Sequence, residues 1–166
     1  MKVNAIFSPE GDIRRYILIS VCAFICAVGT VGAQTPVEKL IDKYSSVKGS
    51  RDFIASGASM ILARSLIRAT PLAAIASEVS VLEVLKMQDA SPSDLADFKK
   101  DLDSALSHYE YYGQTESKNG LVDLYIGGST GDTINELVIY NPTTYSLNSL
   151  KGPLDKATLL SILKKT

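Results

Sequence analysis

The sequence predicts an α+β fold with a mostly antiparallel sheet, and three observations carry that prediction. From Tyr109 to Leu150, short apolar–polar alternations are separated by turn residues at Lys118-Asn119-Gly120, Gly127 to Gly131 and Asn141-Pro142. This is the pattern of a C-terminal four-stranded meander. Before it lie segments of helical period opened by Thr35-Pro36 and Ser91-Pro92, each a capping residue followed by a proline suited to the first turn. The chain has 166 residues, 46% of them apolar, enough for one domain with a core of its own. A meander must bury a face, so the helices over 92–108 and 154–165 are expected to cover it, mainly on one side.

The first segment reads as an export signal. Arg14 and Arg15 precede an uncharged run from Tyr16 to Ala33, and Val31-Gly32-Ala33 supplies small residues where a signal peptidase reads. Residues 1–33 are therefore expected to be a signal peptide cleaved between Ala33 and Gln34, leaving 34–166 as a single domain. The run is about 18 residues, at the short end of what spans a bilayer. Arg14-Arg15 faintly resembles a twin-arginine signal, but the run after it is very apolar, which suits the ordinary secretory route. Val21 before Cys22 and Ile25 before Cys26 make poor lipoprotein sites. The leader carries Lys2, Arg14 and Arg15 against Glu10 and Asp12, so its loss shifts the net charge from -1 to -2. Both cysteines leave with it, and the remaining domain has no thiol for a disulfide, a nucleophile or a metal. The expected location is periplasmic or secreted, in the cell envelope.

Taken in order, the domain opens with a helix over 36–47, where Val37, Leu40, Ile41 and Tyr44 share a stripe. Arg51 to Ser56 suits a short strand. Met60 to Arg68 is helical by composition. Arg64 and Arg68 stand four apart on it, which could clamp an anion but is ordinary surface chemistry. Thr70-Pro71 breaks that helix. Leu72 to Met87 divides into a helical turn to about Ser77 and a buried strand from Ser80 to Met87, rich in strand formers. Ser91 to His108 is the clearest helix, with Leu95, Phe98, Leu102, Ala105 and Leu106 as its stripe and aspartates and lysines on the remainder. No loop carries the alternating oxygen ligands of a calcium site. In the meander, Val122, Leu124 and Ile126 face one way. Leu137 and Ile139 share one face of the next strand, with Ile134, Glu136, Val138 and Tyr140 on the other.

This order of elements resembles an exported family known only as a domain of unknown function and abundant in Bacteroidetes. The resemblance spans Val37 to Leu163. It rests on the capped first helix, the V-L-E-V-L strand running into Ser-Pro, the I-N-E-L-V-I strand and the final approach to Leu150-Lys151-Gly152. It implies an α+β envelope protein and no particular activity. Many members look like lipoproteins, and this chain departs from them in lacking a good lipobox.

Chemistry-bearing motifs are sparse. His108 is the single histidine and ends a helix, where its charged form suits the dipole. Zinc cannot find its ligands among one histidine and no retained cysteine, so no metal and no cofactor is expected. Gly127 to Asp132 is glycine-rich but joins two strands, as a hairpin turn does. Net charge gives no case for nucleic acid. Tyrosines cluster in the meander, and Tyr111, Tyr125 and Tyr140 are the candidates for an aromatic sheet face that binds an envelope protein or ligand, against ordinary cross-strand packing. A membrane partner is expected only through the signal segment during export. The leading expectation is a non-catalytic envelope binding or accessory module. The alternative is a carboxylate-dependent hydrolase acting on envelope glycans, with Asp123 and Glu136 as the pair to test.

Overall fold

A computed structural model describes residues 33–117 and 119–163, and side chains through Ile162. The leader from residue 1 to residue 32 lies outside the described residues. Residues Thr35–Thr166 form a compact unit of their own. Among the described residues, four α-helices (α1 Pro36–Ser45, α2 Met60–Arg68, α3 Pro92–Leu106, α4 Lys156–Leu163) accompany six strands (β1 Arg51–Ser56, β2 Val81–Lys86, β3 Glu110–Ser117, β4 Gly120–Thr130, β5 Thr133–Asn141, β6 Ser146–Asp155). The strands make one antiparallel sheet in the order β1-β2-β6-β5-β4-β3. β3 to β6 are the meander, and β2 adds to its last strand with β1 at the edge.

Local chemistry explains the helix starts. The Thr35 hydroxyl accepts from the Glu38 amide at 3.2 Å while the Glu38 carboxylate accepts from the Thr35 amide at 2.6 Å, a complete capping box. The Ser91 hydroxyl accepts from the Asp94 amide at 3.2 Å, with Pro92 in the first turn. Between β2 and α2, Pro71–Ile75 forms a short 3₁₀ helix, capped by Thr70.

Helices cover both faces of the sheet, where the sequence reading placed them mainly on one. α1 and α3 bury Val37, Ile41, Phe98 and Leu102 against Leu85, Val138 and Leu147. The Phe98 ring sits at the centre, 5.2 Å from Tyr44 edge-on and 6.4 Å from Tyr140. α2, the 3₁₀ helix and α4 bury Met60, Ala63, Ile67, Ile75 and Leu159 against Ile126, Leu137 and Leu150. α3 and α4, the helices expected over 92–108 and 154–165, thus lie on opposite faces. The cause is in the strands: Leu137-Val138 and Leu82/Leu85 put apolar side chains on both parities, and a strand buried on both sides needs a cover on each.

Two details depart from simple alternation. β4 continues through Gly127 and Gly128 to Thr130, so the turn falls at Gly131-Asp132. Gly127 serves packing: a Cβ there would lie 2.5 Å from the Tyr109 ring. Opposite Ile134 to Glu136, β6 carries one extra residue between Lys151 and Leu154, and there Ile134 packs with the Leu137 cluster, away from the Val138 face on which alternation places it.

Candidate functional site

The face carrying Val122, Leu124, Leu137 and Leu150 is only partly roofed. α2 and the 3₁₀ helix wall one side with Leu66, Ile67 and Leu72, and α4 contributes Leu159 and Ile162. Beyond them the sheet floor of Leu82, Val84, Val122, Leu124 and Ile139 opens into a groove of about 380 Å³. The far rim is polar and comes from the ends of β3, β5 and β6: Thr115, Asn119, Asn141, Thr144, Ser146 and Asn148. Its amides are anchored. Asn141 Oδ1 accepts from the Thr143 and Thr144 amides at 2.9 and 3.0 Å, and its Nδ2 donates to Asn119 O at 3.2 Å. Among the described residues, Glu116 is the one charged residue of the lining. An apolar floor, a rim of neutral hydrogen-bonding groups and this volume match the usual make-up of a small-molecule site.

On the opposite face, below the start of α1, lies a polar network. Glu136 is buried, and its Oε1 accepts from Ser149 Oγ at 2.7 Å and Thr35 Oγ1 at 3.3 Å. Its Oε2 accepts from Tyr109 OH at 2.7 Å. Lys151 bridges Glu38 and Glu83, the latter at 3.0 Å. Burial pushes the Glu83 carboxyl above the usual range, and Lys151 offsets only part of that. Burial also acts on Glu38, but Lys151 and the Thr35 amide outweigh it and hold that carboxyl low. Burial raises the Tyr109 phenol, and Glu136 adds to the shift. Every carboxylate here is engaged by hydroxyls, an amide or the lysine, so the network fastens α1 to the sheet.

The tyrosines divide. Tyr140 is 7% exposed, closed off by Phe98, and burial pushes its phenol up to about 12. Tyr125 is half-buried against the same core. Tyr111 is exposed, and its ring meets that of Tyr125 edge-on at 5.3 Å. Tyr140 is therefore a core residue and no part of an outer surface, and Tyr111 with Tyr125 is a cross-strand pair at β3–β4. Sequence parity put them on the correct face but gave no sign that α3 covers it.

Asp123 and Glu136 are not brought together. Asp123 stands opposite Tyr140 and Glu136 opposite Gly127, an offset of four residues along the strands. That is roughly 13 Å, outside the ~5–9.5 Å that a glycosidase pair uses. Asp123 also accepts from Gln114 Nε2 at 2.7 Å. His108 lies in the turn after α3, exposed. Arg64 donates Nε and Nη2 to Val79 O at 3.2 and 3.0 Å. Ala33 and Gln34 are exposed and lie outside regular structure. Among the described residues no group of three or more His, Cys, Asp or Glu could hold a metal ion, and no helix is long and apolar enough to cross a membrane. Comparison with protein-family models, curated proteins and solved structures found no match to this chain.

Proposed function

We propose that the chain is a non-catalytic binding or accessory module of the cell envelope, and that its ligand-bearing surface is the half-roofed groove. The carrying observation is the apolar sheet floor beside α2 and α4, left only half-buried at Leu82, Val84 and Ile139. Leaving such a floor open forgoes hydrophobic stabilisation, a cost that proteins concentrate at binding surfaces. The aromatic face anticipated from the tyrosines gives way to this one because α3 has already filled it. The ligand suited to the groove has an elongated apolar body and a neutral hydroxyl or amide end that meets Asn148, Ser146 and Thr115. The envelope location is supported by the leader pattern before Gln34 and by the shared segment order with exported domains. The hydrolase reading loses its motive with the separation of Asp123 from Glu136.

The test is fluorescence titration of residues 34–166 with N-phenyl-1-naphthylamine, a neutral apolar probe. Saturable enhancement is expected. Val84→Trp, which fills the floor, should weaken it by at least about tenfold, in line with the area removed from the ligand, while circular dichroism shows the fold intact. Undiminished uptake by a folded Val84→Trp protein would refute the reading.

A further inference from the structure

Helix α2 has a second side that neither the core nor the groove consumes. Met60, Ala63 and Ile67 face inward and are buried. Ile61, Leu62 and Leu66 face outward and are 69%, 75% and 65% exposed. A surface helix normally turns charged or polar residues to water. Of these three, only Leu66 also lines the groove.

Between Asp52 and Glu78 the charge along the chain is one-sided. From Phe53 to Ser77 the chain contains no acidic residue and two arginines, Arg64 and Arg68, both in α2, although the chain as a whole has a net charge of -1. Arg68 is exposed. The open sheet beside the groove continues the pattern. Phe53, 46% exposed, stands opposite Val84, and exposed Lys86 stands opposite Ser146. Directly opposed residues share a sheet face, so Phe53 and Lys86 lie on the groove side.

We infer that α2, with Phe53 and Lys86 beside it, is a docking face for an anionic lipid bilayer. Aliphatic side chains with a cationic flank are the composition of a helix lying in the membrane interface. Ile61 and Leu62 enter the acyl boundary, and Arg68 and Lys86 meet lipid phosphates. This departs from the expectation that only the leader meets a membrane. A second copy of the chain fits less well. A two-fold contact sets the patch against itself, and α2, Phe53 and Lys86 offer Arg68 and Lys86 no acid to pair with.

The experiment is vesicle co-sedimentation of residues 34–166, which hold both cores and omit the apolar leader. Vesicles of phosphatidylcholine with phosphatidylglycerol are compared with pure phosphatidylcholine. Binding is expected to favour the anionic vesicles and to weaken with salt. Ile61→Ser/Leu62→Ser should weaken it by more than about tenfold, and Arg68→Gln by about fivefold at low salt. Ile61→Ser/Leu62→Ser should leave naphthylamine uptake unchanged, so failure of this inference is separable from failure of the groove. No vesicle binding, binding indifferent to phosphatidylglycerol, or undiminished binding by Ile61→Ser/Leu62→Ser overturns it. So does a dimer, seen by sedimentation equilibrium, that the same substitutions dissolve.

Discussion

Replacing Lys151 with methionine tests whether the polar network below α1 is structural. Lys151 contacts Glu38 and Glu83, and the three side chains are 15%, 25% and 10% exposed. Breaking a buried ion pair costs about 3–5 kcal/mol, because the surviving charge is left without a partner. Glu38 keeps some water, which places Lys151→Met near about 3 kcal/mol. The pH dependence follows from the two carboxyls. The Glu83 carboxyl titrates above its ordinary value in the fold. The stability it contributes is fully present below the unfolded pKa and is lost as pH rises through the folded one. Glu38 titrates low, so its contribution is present above the unfolded pKa and lost as pH falls through the folded one. Removing the lysine pushes both carboxyls up, so the variant should lose most at neutral pH and recover below about pH 5, where carboxyls protonate. Urea unfolding followed by circular dichroism at the two pH values measures this. Adding Glu83→Gln to Lys151→Met should restore more than about 1 kcal/mol. A cost below about 0.5 kcal/mol, the level of an ordinary surface change, or one equal at both pH values, would refute the reasoning.

Two further outcomes are expected. Burial raises the Tyr112 phenol, and its hydroxyl is buried with no hydrogen-bond partner among the described residues. Tyr112→Phe should therefore stabilise the domain by about 1 kcal/mol, read as a higher urea midpoint at unchanged slope; a loss of stability would reveal a partner. If export proceeds by cleavage after Ala33, N-terminal sequencing of the protein from its native envelope should begin at Gln34, and a chain that begins at Met1 there would exclude it.

Much of the fold was legible because its signals are local. Thr35-Pro36 and Ser91-Pro92 start the helices that they announce, and the β1 and α2 limits coincide with Arg51–Ser56 and Met60–Arg68. The division of Leu72 to Met87 holds, as a 3₁₀ turn followed by β2. What failed was the reading of layers. Parity separates two sides of a strand but does not say which is covered, and here both are. The double apolar runs of β2 and β5 carried that information. The bulge in β6 between Lys151 and Leu154 went unread, although Gly152, at φ 154°, and Pro153 mark it. The groove was hidden for a different reason. It is the space that α2, the 3₁₀ helix and α4 leave between them, set by helix length and placement and by no motif. Its rim comes from turns far apart in sequence, Asn119, Asn141 and Ser146 among them.

Methyl chemical shifts during titration with naphthylamine bear most directly on the groove as the binding surface. The methyls of Val84, Val122, Leu124 and Ile139 should move together and saturate, while those of Val138 and Leu147, on the α1–α3 side, stay in place. Movement centred on Val138 and Leu147, or no saturable movement at Val84 and Ile139, would contradict it.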